Sequence, residues 1–213
     1  MFEQILSKQA KDDLALLGAI KILPKGTYLA GGTALALQLG HRLSYDLDFF
    51  TAQPFRETMV VQRISKSISS FKTEHVEWRT ILGWIRKTKF SLFFYEYPLL
   101  FDVHKFLGIE AADVRDIAPM KVAAIADRGT KRDFVDLYFI IVKKNILTLE
   151  ECLALYDKKF QLLPQNKLHI LKSLTYFDDA ETSGELKMLE PADWKAVKIF
   201  FQKEVLALSK KML

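Results

Sequence analysis

The alternation of apolar and polar residues divides the chain into a front half that mixes helix and strand periods and a back half with helix periods alone. Residues 3–22 carry apolar positions at helical spacing. Gly26–Ala30 reads as a short strand, Gly31-Gly32 as a turn, and Thr33–Leu39 as a helix with Thr33 near its N-cap. Leu47–Phe50 returns as a strand. Val60, Ile64, Ile68 and Phe71 recur at i, i+4, i+8 and i+11, the mark of an amphipathic helix. Val76–Leu82, Trp84–Ile85 and Lys89–Tyr95, rich in aromatic and β-branched residues, predict strands around a turn at Gly83. Beyond about Asp113 the strand period disappears. Pro119 is placed to open a helix containing Met120–Arg128, and helical patterns follow over Lys131–Lys143, Leu149–Lys159, Gln165–Thr175 and Pro191–Lys211. The predicted fold is α/β (α+β). A mixed sheet with flanking helices occupies 1–113, and a helical region, 114–213, is expected to pack on that core.

Composition narrows the class. The 213 residues are 50% hydrophobic and 27% charged, which favours an ordered globular chain over a disordered one. There is no internal repeat and no low-complexity tract. The net charge of +5 permits an anionic partner without requiring one. The excess is local: between residues 61 and 90 there are seven Lys/Arg against Glu74 and Glu77, a pattern more often a solvated face than a polyanion track. A single cysteine, Cys152, excludes an internal disulfide and reads as a small apolar side chain in a helix. The greasiest run, FSLFFYEYPLLFDV, is broken by Glu96, Pro98 and Asp102 and cannot span a bilayer. With no signal-peptide pattern at the N-terminus, the expected location is the cytoplasm.

The stretch TYLAGGTALALQLGHRLSYDLDFF, residues 27–50, carries the candidate chemistry. Along a strand, Asp46 and Asp48 point one way while Leu47 and Phe49 point the other. Two carboxylates about 6–7 Å apart repel and call for a compensating cation. Magnesium, which takes one or two protein carboxylates together with water and substrate phosphates, fits that demand. Gly31 and Gly32 let a ligand approach their backbone closely, and they precede a helix N-terminus whose free N–H groups favour an anion. Thr33 adds a hydroxyl, Arg42 a phosphate clamp, and Ser44 braces the turn. Together these residues form a candidate triphosphate cradle. His41 reads as a loop-positioning residue.

The pattern G-G-T followed by H-R-x-S-x-D-L-D-F-F resembles the first motif of nucleotidyltransferases of the DNA polymerase β type. It most closely resembles that of the AbiEii/AbiGii abortive-infection toxin branch. DIAPMKVAAIADRGTKRDFVDLYFII, residues 116–141, and LTYFDDAE, residues 174–181, with Trp194 beyond, extend the resemblance along nearly the whole chain. It implies a nucleotidyltransferase-like core and a helical C-terminal half, and the toxin of a toxin–antitoxin pair. It also implies an NTP as substrate, magnesium or manganese as cofactor, and in some members tRNA or other RNA as acceptor. The family would use Lys121 on the nucleotide phosphates. Asp133 and Asp136 share a helix face. Asp136 is placed to orient Lys121 or Arg128, or to take the proton of the attacking hydroxyl. Asp133 has capping-box spacing from Thr130, which explains it without chemistry. The superfamily's third carboxylate is missing: Lys89–Tyr95 offers Ser91 and no acid.

The catalytic set expected from this reading is Asp46, Asp48, Lys121, Asp136 and Asp133, with Asp46 and Asp48 as metal ligands. The acceptor is an RNA or a protein hydroxyl, and an antitoxin protein is an implied partner. Two rivals stand beside it: a non-catalytic nucleotide-binding regulator on the same fold, and an interaction module whose basic surface docks an acidic protein. The cluster FDDAE at 177–181 reads as a solvated helix end. The aromatic run from Phe90 to Tyr97 reads as core packing ahead of a base-stacking platform.

Overall fold

The structure, a computed structural model, describes residues 1–161 and 166–212. The chain folds as two compact units, Met1–Asp113 and Val114–Leu213.

The first unit is built on a seven-stranded mixed sheet. After a 3-10 turn at Glu3–Ile5 come α1 (Lys8–Ile20), β1 (Tyr28–Leu29), α2 (Gly31–Leu39), β2 (Leu47–Thr51) and α3 (Glu57–Ser67). Then follow β3 (Phe71–Glu77), β4 (Thr80–Ile85), β5 (Thr88–Phe94), β6 (His104–Phe106) and β7 (Ile109–Ala111). The strand order is β3-β4-β5-β2-β1-β7-β6. β2 runs parallel to β5 and antiparallel to β1, and β1 runs parallel to β7. The alternation across β2, β4 and β5 separates two faces. Leu47, Phe49, Ile81, Ile85, Phe90 and Leu92 are fully buried on one. Asp48, Phe50, Leu82, Trp84, Lys89, Ser91 and Phe93 alternate with them and lie on the other.

Several predicted boundaries move. The residues read as one helix over 3–22 form the 3-10 turn and α1, with the Ser7 hydroxyl capping α1 by accepting from the Ala10 N–H at 3.1 Å. Gly31 and Gly32 are the first two residues of α2, not a turn before it. Gly83 lies inside β4 opposite Thr73, where a Cβ would overlap the Lys72 carbonyl oxygen at 2.6 Å and meet the Phe71 ring at 3.0 Å. The turns fall instead between β3 and β4 and between β4 and β5, where Arg79 and Arg86 adopt positive φ. Phe71, expected on the amphipathic helix, opens β3.

The second unit contains helices alone among its described residues: α4 (Val114–Asp127), α5 (Lys131–Tyr138), α6 (Leu149–Phe160), α7 (Asn166–Ser173), α8 (Asp178–Glu181) and α9 (Trp194–Met212). Pro119 sits inside α4, which starts five residues earlier than the proline predicts; the missing N–H deprives Arg115 of one i−4 partner. The helix expected over Lys131–Lys143 changes winding at Phe139 into a π segment, Phe139–Lys143, where the Lys144 N–H donates to the Phe139 carbonyl at 2.9 Å. Gln165, the predicted start of the next helix, lies outside the described residues. α4 packs against α5, α6 and α7, and α5 packs against α8 and α9. Phe134, at the centre, touches the rings of Phe177, Trp194 and Phe201 at centroid separations of 5.1, 6.0 and 5.3 Å. The LTYFDDAE block therefore supplies core: Phe177 and Ala180 are buried while Asp178 and Asp179 are exposed.

Buried Cys152 lies on α6. Burial, with a further push from Glu151, drives its thiol up to about 12. The thiol is expected to resist thiol-specific reagents at pH 8 in the native protein and to react fully in denaturant; rapid native labelling would show that α6 opens readily. Among the described residues no helix is long and apolar enough to cross a membrane.

Candidate active site

In the first unit the acidic strand and the glycine-led helix meet. β1 is followed by Ala30, whose N–H donates to the Asp48 carbonyl at 3.0 Å, so the entry to α2 is tied to β2 beside the aspartate. Gly31, at φ +65°, turns the chain into the helix, and a Cβ there would stand 3.2 Å from Asp48 Oδ2. The Asp48 carboxylate thus lies directly against the first residue of α2. Ala30 at the N-cap has no side-chain acceptor, and the first intrahelical donor is the Ala34 N–H, 3.5 Å from the Ala30 carbonyl. Helix geometry leaves the N–H groups of Gly31, Gly32 and Thr33 without an intrahelical acceptor.

The loop carrying Asp46 is fastened to the same helix. Thr33 Oγ1 donates to the Asp46 carbonyl and lies 2.7 Å from Ser44 Oγ. The Thr33 hydroxyl is buried and committed to these two partners, which corrects its expected role as a phosphate donor. It braces the loop, and its main-chain N–H is left without an intrahelical acceptor. Arg42 is also buried and packs its guanidinium over Gly32, where a Cβ would overlap it; its Nη1 donates to the Leu43 carbonyl at 3.1 Å. His41 is buried in the same loop. Replacing Thr33 with valine removes both bonds and takes one partner each from the Ser44 hydroxyl and the Asp46 carbonyl beside a buried side chain. A loss of about 1–3 kcal/mol is expected from urea unfolding; an unchanged midpoint would show that water replaces the hydroxyl.

Asp46 and Asp48 are both half-buried. The β2–β5 register sets Asp48 beside Ser91, so the neighbour on that strand is a hydroxyl where the resemblance leads one to look for an acid. Sequence reasoning could find that serine but not its partner, because register depends on residues some forty positions apart. Among the described residues no cluster of three or more His, Cys, Asp and Glu is placed to hold a metal. The oxygen donors of Asp46 and Asp48, beside an uncapped helix tip, fit a magnesium-type ion that completes its shell with water and phosphate.

The second unit gathers the other predicted residues. Lys121 Nζ on α4 lies 2.8 Å from Asp133 Oδ1 and 2.6 Å from Asp136 Oδ2 on α5. Asp133 also accepts from Thr130 Oγ1 at 2.6 Å and from Arg128 Nε at 3.3 Å. Burial alone would raise the Asp133 pKa; the charges of Lys121 and Arg128, with hydrogen bonds from Lys121 and Thr130, outweigh it and hold the carboxyl below its ordinary value. Thr130 is the N-cap residue of α5, yet its hydroxyl donates to Asp133 and makes no cap bond. The capping-box spacing there builds an ion-pair support. The box itself occurs at Thr148 and Glu151, at the start of α6.

Comparisons with known proteins fit this geometry. Residues 15–83 and 94–207 match the family described as "Nucleotidyl transferase AbiEii toxin, Type IV TA system". An uncharacterized protein of Aquifex aeolicus is 41% identical over 182 residues, covering 84% of this chain and 85% of that one. Among solved structures, the nucleotidyltransferase toxin MenT4 of Mycobacterium tuberculosis superposes with a TM-score of 0.61 at 16% identity, covering 92% of this chain and 82% of that one. JHP933 of Helicobacter pylori superposes with a TM-score of 0.55 at 18% identity, covering 97% of each chain. At these identities the structural likeness is one of fold, and it matches the mixed sheet with flanking helices expected from the sequence. The chain belongs to the AbiEii nucleotidyltransferase toxin family and is an enzyme of the nucleotidyltransferase class.

Proposed function

We propose that the enzyme moves a nucleoside monophosphate from an NTP to a hydroxyl on an RNA or protein, as the toxin of a pair with an antitoxin protein. The observation that carries this reading is the Asp48 carboxylate standing against Gly31, the first residue of an uncapped helix. Asp46 and Asp48 would hold magnesium or manganese. The ion supplies charge neutralisation on the phosphates when bound. The N–H groups of Gly31, Gly32 and Thr33 receive phosphate oxygens, and the helix dipole favours their charge. Arg42 and Ser44 hold the loop that presents Asp46. The acceptor oxygen attacks the α-phosphorus in line, the bond to the β-phosphate oxygen breaks, pyrophosphate leaves, and the hydroxyl proton passes to solvent.

Lys121 is assigned to the phosphates by the resemblance, and Asp133 and Asp136 are positioning residues for its ammonium. Asp136 is fully buried and bonded to Lys121, which favours that role over proton acceptance from the attacking hydroxyl. Incubating the protein with each labelled NTP, a tRNA pool and magnesium or manganese tests the reading. Metal-dependent incorporation of label supports it, and tight nucleotide binding without incorporation would contradict it.

A further inference from the structure

On the sheet face that carries Asp48, the strand register lines up a row that no local motif announces. Lys72 on β3 stands opposite Trp84 on β4, and Trp84 stands opposite Lys89 on β5. Leu47, the first residue of β2, pairs with Phe90, so Lys89 lies just past the end of the β2–β5 ladder, where the loop carrying Asp46 enters β2. The row therefore runs Lys72, Trp84, Lys89, from the edge strand inward toward β2 and its Asp48. Trp84 is 37% exposed and Lys72 is exposed, while their neighbours Ile81, Ile85 and Phe90 fill the opposite face. The indole N–H donates to Glu74 Oε2 at 3.1 Å, which holds the ring edge and occupies that carboxylate.

We propose that this row is a track for a single-stranded polynucleotide whose terminal hydroxyl is the nucleotide acceptor. The indole face takes a base, and the ammonium groups of Lys72 and Lys89, one strand to either side at about 4.8 Å spacing, reach the flanking phosphates on flexible stems. An acidic protein would use the two cations but not the aromatic face between them; a stacked base with its phosphates uses all three. Naming the strand as acceptor rests on the transferase reading above, whereas its binding does not.

Fluorescence anisotropy with an end-labelled short single-stranded RNA tests the proposal on the full chain. Trp84→Ala is expected to weaken binding about tenfold or more, and Trp84→Phe to retain most of it. The double variant Lys72→Glu/Lys89→Glu, at an exposed and a half-buried lysine, is expected to weaken binding and to lower the salt slope by about one to two. Absence of RNA binding by the unaltered protein would overturn the proposal, as would Trp84→Ala and the lysine double variant both binding at full strength. Displacement of the RNA by polyglutamate, with Trp84→Ala unaffected, would assign the surface to an acidic protein instead and also overturn it. Failure of the transferase reading looks different: the RNA binds, and no label is transferred to it.

Discussion

Replacing Asp48 with asparagine is expected to lower nucleotide incorporation by more than about a hundredfold while leaving the fold intact. The amide keeps the shape that packs against Gly31, so the loss isolates the charge. Removing a residue that merely supports a metal ligand costs roughly 10–100-fold; removing half of a two-carboxylate set exceeds that, because no third acid stands ready to compensate among the described residues. Asp46→Asn is expected to fall in the same range. The double variant should be little worse than either single one, since the two carboxylates act as a unit. Label incorporation at matched protein stability, checked by thermal melting, measures this. Activity within about threefold of the parent for either single variant would remove that residue from the site, on the scale set by even a supporting contact.

The second large effect is on stability. Lys121→Met removes the cation shared by Asp133 and Asp136, whose side chains are both fully buried. Two buried carboxylates then lose their shared cation, with the partly exposed Arg128 guanidinium still 3.3 Å from Asp133, and a loss of about 3–5 kcal/mol is expected. The direction with pH separates this from simple loss of packing. Asp133 has a folded pKa below its ordinary 3.8, so its contribution is fully present above that value and is lost as the pH falls through the depressed one. In Lys121→Met, repulsion and burial raise the folded pKa of the acidic pair. The variant is therefore expected to gain stability as the pH falls toward about 4, where the parent does not. Urea unfolding between pH 7 and pH 4 reads both slopes. Parallel slopes would show that the carboxylates are not coupled through Lys121.

The acidic strand was legible because alternation alone puts Asp48 opposite Leu47 and Phe49, and β2, which begins at Leu47, keeps that alternation; Asp46 lies in the loop just before it. The division between strand-rich front and helical back was legible from period. Other features depend on contacts distant in sequence. Gly83 reads as a turn locally, but it pairs with Thr73 inside β4, where the Lys72 carbonyl and the Phe71 ring leave no room for a side chain. Thr33 reads as a ligand donor until Ser44 and the Asp46 carbonyl occupy its hydroxyl. Lys121, Asp133 and Asp136 read as three catalytic candidates in sequence, and the structure joins them into one buried ion-pair cluster. The Lys72–Trp84–Lys89 row is invisible until register is known, because its members lie on three strands.

The central claim is that one metal-bound nucleotide bridges the acidic pair and the tip of α2. A crystal structure with manganese and a non-hydrolysable NTP, its metal identified by anomalous scattering, tests this most directly. The account predicts manganese on the carboxylates of Asp46 and Asp48, with the triphosphate against the N–H groups of Gly31, Gly32 and Thr33. A triphosphate bound elsewhere, with those carboxylates turned away from the metal, would contradict it.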